Sequence, residues 1–376
     1  MSAPRVYGWC PGALRPMMSG DGLVMRVRAP MGRLTPVQAS GIAALSTRHG
    51  NGLIDLSARA NIQIRGLREE AHPALIDALR GLGLIDRDIA VETRRNLVIQ
   101  PFWSAGDATQ IIAQSLTRAL AAPDAPDLPG KFGFAVDCGP TPCLQDTSAD
   151  IRIEHVEDVL ICRADGAETG QPVTENTAAG MALGMARWFL ETGGAPGGRG
   201  RMAAHIDRIG APQGHDAQRV TGVTQPKPGK CDRGFLVALE FGQIPAETLD
   251  GLAKLGALRL TPWRMVLIEG AAQAPELPGL IADPDDPRLQ VTACTGAPGC
   301  PQALAATRDI ARALAGRAPG DLHVSGCAKG CAHPGPAAHT IVATGGDRFD
   351  LIRDGRTTDR PARPGLSLTD LLSGEL

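Results

Sequence analysis

The chain has 376 residues, more than one ordinary hydrophobic core accommodates, so two or three compact units are expected. Its 43% hydrophobic and 21% charged residues are those of a globular protein and exclude a fibrous or disordered one. A formal net charge of -2 argues against a protein that coats nucleic acid, and 3% aromatic residues against a platform that stacks single-stranded bases.

The amino-terminal stretch "MSAPRVYGWCPGALRPMM" lacks the apolar core and cleavage site of a signal peptide, and no apolar run approaches a membrane span. A cytoplasmic protein is expected, in which thiols stay reduced and clustered cysteines mean metal or catalysis rather than disulfides. A strand-like run, "GLVMRVRAP", is followed over residues 31–66 by a Gly turn, an amphipathic helix, a strand and a second strand closed by Gly. The same succession returns after "GFLVALE", over residues 241–270, with a shorter link between helix and strand. A β-α-β unit is used twice, which is the mark of a duplicated gene.

A looser correspondence lies behind each copy. After the first come "DIAVETRRNLVIQ", a helix to about residue 122 and "LPGKFGFAVDCGPTPC"; after the second come "DPRLQVTACTGAPGC", a helix over about 301–315 and "APGDLHVSGCAKGC". The order is strand, polar turn, helix, Pro-Gly turn, strand and a cysteine-bearing loop. Between the halves run a long helix, "TENTAAGMALGMARWFLE", and the glycine-rich "TGGAPGGRGR", which reads as a linker, a mobile loop or a lid. Basic residues are nearly all arginine, the lysines being Lys131, Lys227, Lys230, Lys254 and Lys329, so a lysine is the stronger signal. Arg26, Arg28, Arg33, Arg59, Arg65 and Arg95 each have a bland reading as solvated surface.

Of the 9 cysteines, Cys294 and Cys300 stand as C-x5-C, and Cys327 and Cys331 as C-x3-C. Structural zinc favours C-x2-4-C pairs, for which the first spacing is wide. A [4Fe-4S] cubane takes four thiolates from loops whose small residues let backbone amides reach the sulfurs, and the intervening Thr, Gly, Ala and Pro suit it. Pro301 is expected to open the following helix. For Cys10, Cys138, Cys143, Cys162 and Cys231 a small buried hydrophobe is the better reading.

These motifs carry a resemblance. The pattern C-x5-C-P with S-G-C-x3-C, and the two β-α-β repeats, resemble the sirohaem sulfite and nitrite reductases over about residues 20–354, most weakly across 193–230. The resemblance implies an α+β fold with α/β lobes, in which two ferredoxin-like half-domains are each followed by a lobe. The expected division is 15–75, 76–190, a linker over 191–230, 231–275, and 283–376 carrying the cluster. It further implies a basic pocket between the halves, with Arg28, Arg59, Arg95, Asn96 and Lys131 at positions that meet a tetrapyrrole's carboxylates. A second pocket lysine would be expected at position 133, where this chain has glycine. A reductase of small anions needs dense positive charge there, so Gly133 counts against that chemistry.

Within that superfamily the opening "CPGALRPMMSGDGLVMRVRAPMGRLTP" and the later "RLTPWR" are similar to the precorrin-3B synthase family. That resemblance implies a monooxygenase for which the tetrapyrrole, precorrin-3A, is substrate, so no sirohaem is expected. O2 would be the second substrate, hydroxylating carbon C20, with a γ-lactone closed from the ring-A acetate. It also implies a mononuclear non-haem iron, with His and carboxylate ligands by type. His49, His155, His205, His215, His333 and His339 are the candidates. His205, Asp207 and His215 look superficially like a facial triad, and His333 is placed to support the cluster from behind Cys331. Electrons must come from outside, because no G-x-G-x-x-G follows a strand and opens a helix. A flavoprotein reductase or ferredoxin, with NADH as ultimate source, is the expected donor; no nucleic acid and no membrane are expected as partners. A sirohaem reductase and a non-catalytic iron–sulfur carrier are the competing readings.

Overall fold

The computed structural model describes residues 11–212, 217–218 and 225–374. The first repeat consists of β1 (Met17–Ser19), β2 (Gly22–Val27), β3 (Arg33–Leu34), α1 (Pro36–His49), β4 (Leu53–Leu56), β5 (Ile62–Leu67) and α2 (His72–Gly81). Helix α1 starts where a capping box fixes it: Thr35 accepts from the Gln38 amide, the Gln38 side chain accepts from the Thr35 amide, and Pro36 presets the first turn. Ala39, Ile42, Ala43 and Ser46 then form its buried stripe.

The first lobe follows, with α3 (Ile89–Arg94), β6 (Leu97–Ile99), α4 (Ala108–Leu120), β7 (Phe134–Asp137), β8 (Ile151–Val156), β9 (Val159–Ala164), β10 (Thr169–Pro172) and α5 (Ala178–Glu191). Next come α6 (Met202–Ile209) and β11 (Ala217–Gln218). The second repeat has β12 (Gly229–Cys231), β13 (Gly234–Leu239), β14 (Gln243–Pro245), α7 (Ala246–Ala253), β15 (Leu258–Leu260), β16 (Met265–Glu269) and β17 (Leu280–Ile281). The second lobe has β18 (Val291–Ala293), α8 (Thr307–Leu314), β19 (Leu322–Ser325), β20 (Ala337–Gly345), β21 (Arg348–Gly355), β22 (Arg363–Leu366) and α9 (Leu368–Ser373).

The duplication extends to single backbone angles. Met31 and Gly32 take φ of 56° and 66°, matched by Phe241 and Gly242 at 51° and 73°; Ala60 at 54° is matched by Arg264 at 59°. Left-handed turns at the same places launch the same strand and helix in each copy. The copies also exchange strands. β3 pairs with β15, and β14 pairs with β4, so each sheet is completed by the other repeat. The sheets run β1-β2-β5-β4-β14 and β12-β13-β16-β15-β3. Helices α1 and α7 lie together over both, and one apolar core, with Ile42, Ile54, Ile64, Leu249, Val266 and Ile268, spans the two.

The lobes repeat as well. In the first, β6, β7 and β8 are parallel and β9 to β11 antiparallel; in the second, β18, β19 and β20 are parallel and β21 and β22 antiparallel. Each lobe has its own core. No helix among the described residues is long and apolar enough to cross a membrane.

Four details depart from the sequence reading. "DIAVETRRNLVIQ" is helix α3 followed by the short strand β6, because Asp88 caps a helix by accepting from the Val91 amide. Pro301 does not open the helix, which begins at Thr307, where the Thr307 hydroxyl donates to the Cys294 carbonyl. The glycine-rich segment is not loose throughout: α6 packs Met202, His205 and Ile206 into the first lobe. The division expected at 75/76 falls inside α2.

Candidate functional site

The outer faces of the two sheets differ in chemistry although their backbones match. Across the first sheet Arg26, Gln63, Asp55 and Gln243 stand in one cross-strand row, and Arg65 lies on the same face of β5. The corresponding row of the second sheet is Leu236, Leu267, Arg259 and Arg33, with Leu236 and Leu267 buried in a small apolar cluster. The first copy is polar and charged along the whole row, whereas the second is apolar on β13 and β16 and carries arginines only on β15 and β3.

Arg28, just past β2, is only 7% exposed. Its Nη1 lies 3.6 Å from Glu92, beyond hydrogen-bond reach, and Glu92 accepts instead from the amides of Ala13 and Leu14. Among the described residues Nε and Nη1 of Arg28 have no hydrogen-bond partner. Burial, and then the nearby Arg26, push this guanidinium down to about 10, so it remains charged at neutral pH. A buried cation with unmet donors is costly, and an anionic ligand would relieve it. Arg95 pairs with Asp86 at 2.7 and 2.8 Å and donates to the Arg28 carbonyl. It lines a cleft of about 420 Å³ with Met31, Leu84, Ile85 and Arg118. The Asn96 amide is committed to the Phe132 carbonyl and is buried, which makes it a strut under the site.

Arg59 and Lys131 come together: Nη2 of Arg59 donates to the Lys131 carbonyl at 3.1 Å and to Ser148 Oγ at 3.3 Å. The Lys131 ammonium is exposed and has no partner among the described residues. Gly133 is closed to any side chain, since a Cβ there would lie 2.8 Å from Asn96 Nδ2. The sequence reading missed Arg201, which donates to Asp150, Ser148 and Ala149 beside this pair. It lies in the segment read as linker, where a short glycine-rich match gave no spacing to follow.

The four cysteines of the two carboxy-terminal motifs stand on loops after the parallel strands β18 and β19. All are unpaired thiols, and Cys331 lies at an exposed rim. Partial desolvation raises the Cys331 thiol, and Cys327, Cys294 and Cys300 raise it further, which brings all four sulfurs into one electrostatic neighbourhood. Among the described residues no three His, Cys, Asp or Glu side chains converge as a single ion requires. Four thiolates that each bind a different iron of a larger cluster stand farther apart than ligands ~2.3 Å from one zinc. The loops suit such a core. The Gly326 amide donates to Cys294 Sγ at 3.2 Å, and a Cβ at Gly326 would meet Ala303 Cβ at 2.7 Å. Arg264 adds positive charge near Cys294.

The first repeat holds this loop in place. The Gly299 carbonyl accepts from Ser19 Oγ at 2.6 Å, from Arg65 at 2.8 Å and from the Gly20 amide at 3.2 Å. Arg65 in turn is fixed by Asp21 and Asp55. These contacts also went unseen in the sequence, because they join residues some 280 positions apart.

Among the described residues the histidines do not gather into a metal site. His205 is held by Thr192 and Arg208, His155 by the Gly139 carbonyl, and His333 by the Pro336 carbonyl. His49 ends α1 and His339 lies on β20, while His215 and Cys10 lie outside the described residues. His323, fully buried on β19, has both ring nitrogens unpartnered and is pushed down to about 4 by burial, His333 and Arg264.

Residues 15–82 match the family model of the nitrite/sulfite reductase ferredoxin-like half domain. The chain is 30% identical to a precorrin-3B synthase from Sinorhizobium sp., covering 94% of this chain and 84% of that one. It is 25% identical to a ferredoxin–nitrite reductase from Synechococcus elongatus, covering 85% and 76%. The solved structure of the Mycobacterium tuberculosis NirA protein shares its fold, with a TM-score of 0.60 at 18% identity over 93% of this chain and 79% of that one. With a relative of that name matched along nearly its whole length, and with the half-domain of those reductases at its start, the chain belongs to the precorrin-3B synthases of the nitrite/sulfite reductase superfamily.

Proposed function

We propose that the protein is a precorrin-3B synthase that converts precorrin-3A to precorrin-3B with O2. One oxygen atom is added at C20, a γ-lactone closes from the ring-A acetate, and the second oxygen atom leaves as water with two electrons and two protons. The observation that carries this reading over a sirohaem reductase is Gly133, which supplies no second pocket lysine and whose Cβ position is taken up by the Asn96 side chain. The arginine face suits a macrocycle ringed by ionised carboxylates, because guanidinium forks bind carboxylates bidentately and stay charged. Buried Arg28, with two unmet donors, supports a substrate carboxylate at that point. Lys131 and Arg59 would hold another, while the paired Asp86 keeps the Arg95 fork oriented on the wall of its cleft.

Cys294, Cys300, Cys327 and Cys331 would hold a [4Fe-4S] cluster, the Gly326 amide would stabilise the Cys294 thiolate, and Arg264 would offset part of the negative charge. When bound, the cluster supplies single electrons, taken from an external flavoprotein or ferredoxin with NADH as ultimate source. Among the described residues no set fits a mononuclear iron, and no step is drawn through one.

The test is anaerobic incubation with precorrin-3A, then air, and mass spectrometry. Gain of one oxygen atom is expected, in a protein whose visible spectrum lacks the intense bands of sirohaem. A sirohaem spectrum with sulfite or nitrite reduction, and no oxygenated product, would replace this reading.

A further inference from the structure

Resting on that reading, we infer that Arg201 is a substrate-binding residue, supplying beside Arg59 the positive charge that Gly133 does not carry. Gly133 is packed on both sides. Its carbonyl accepts from the amides of Asp150 and Ile151, its own amide donates to Asp150 Oδ2 at 2.9 Å, and Asn96 fills the space where a Cβ would go. A cation at this spot must therefore arrive from elsewhere in the chain.

Asp150 brings one. It is fully buried, and while Oδ2 holds Gly133, Oδ1 accepts from Arg201 Nε and from the Met202 amide, each at 2.8 Å. The carboxylate that pins Gly133 thus also pins the start of α6 and aims the Arg201 guanidinium. Nη2 of Arg201 donates to Ser148 Oγ and to the Ala149 carbonyl, both at 3.1 Å. Ser148 Oγ is the same hydroxyl that accepts from Arg59 Nη2, and Arg59 Nη2 also reaches the Lys131 carbonyl.

Two guanidinium groups therefore converge on one exposed hydroxyl, beside the backbone of Lys131. The one carboxylate bonded to Arg201, Asp150, lies wholly buried behind it. Two guanidinium groups that share one hydroxyl repel each other, and close like charges are relieved by an added anion. Roughly a third of the Arg201 side chain, 35%, stays exposed, so its outer edge is open to a ligand. Nε is spent on Asp150 and Nη2 on Ser148 and Ala149, which leaves Nη1 as the edge offered to a ligand among the described residues. A carboxylate arm of a polyacidic macrocycle is the ligand this geometry fits.

Uroporphyrin, a stable octacarboxylate tetrapyrrole, serves as probe, titrated by fluorescence into the full-length cluster-loaded protein and its R201Q, R201K, K131A and R59A variants at several salt concentrations. R201Q is expected to raise Kd roughly tenfold, as for loss of a charge-assisted hydrogen bond, with a shallower salt dependence like that of K131A. R201K, which keeps the charge without the fork, should fall between. A lowered thermal midpoint with unchanged Kd and salt dependence in R201Q, while K131A and R59A bind more weakly, would make Arg201 a strut for α6 and overturn the inference. If R201Q does not fold, R201K carries the same comparison. Parent-like binding by all the variants would instead overturn the cationic cavity itself.

Discussion

At the Arg28 guanidinium, burial and function pull in opposite directions. Two donors of a nearly buried cation lack acceptors, and its carboxylate neighbour is committed to the amides of residues 13 and 14. Replacing such a group by an apolar side chain of similar length is often neutral or stabilising. R28M should therefore leave the thermal midpoint unchanged or higher while weakening uroporphyrin binding roughly tenfold or more. A fall of many degrees would make Arg28 a structural ion pair with Glu92. At the sulfurs, Cys294→Ser should lose cluster iron and the brown absorbance, since thiolate and Gly326 amide act together there. Full iron content in that variant would remove Cys294 from the ligand set.

Among the elements, the strand exchange in the second sheet has an ionic fastener. Glu269 on β16 accepts from Arg33 on β3 at 2.7 Å and from Arg259 on β15 at 2.6 Å, so a single carboxylate ties a strand of the first repeat into the second sheet. Hydrogen bonding from Arg33, and then from Arg259, holds its carboxyl down at about 2. A depressed carboxylate contributes stability above its unfolded pKa, near 4.3, and loses it as pH falls towards 2. E269Q should accordingly cost about 2 kcal/mol at pH 7, a difference from the parent that shrinks between pH 4.5 and 2. Urea titrations across that range measure it. A constant difference would mean that the loss is packing rather than charge.

For the whole molecule, the loop that carries Cys294 and Cys300 is also a seam. Gly299 is gripped by Ser19, Gly20 and Arg65 of the first repeat, so a cluster held in the second lobe would stiffen a contact with the first. Removing iron should speed amide exchange at Gly20 and protease cleavage within 294–306, and leave the first lobe, with its separate core, protected. Equal loosening of both lobes would argue against that division.

Much of this was legible in the chain. The period of the repeats gave the two halves, since a pattern of turn, helix and paired strands is local, and the cysteine spacings gave the thiol loops. Arginine identity gave a cationic face, though not its geometry. The errors have physical causes: Asp88 caps a helix where β-branched residues suggested a strand, and six residues of loop precede α8 because Thr307, rather than Pro301, ties its start to Cys294.

The sequence by itself determined the duplication, the lobes and the kind of ligand atoms available, because propensity, turns and spacing act over a few residues. The tertiary structure alone decided the strand exchange, the closing of Gly133 by Asn96, the delivery of Arg201 through Asp150 and the grip on Gly299. Each of these is a contact between distant segments, fixed by packing and buried hydrogen bonds that leave no period in the chain.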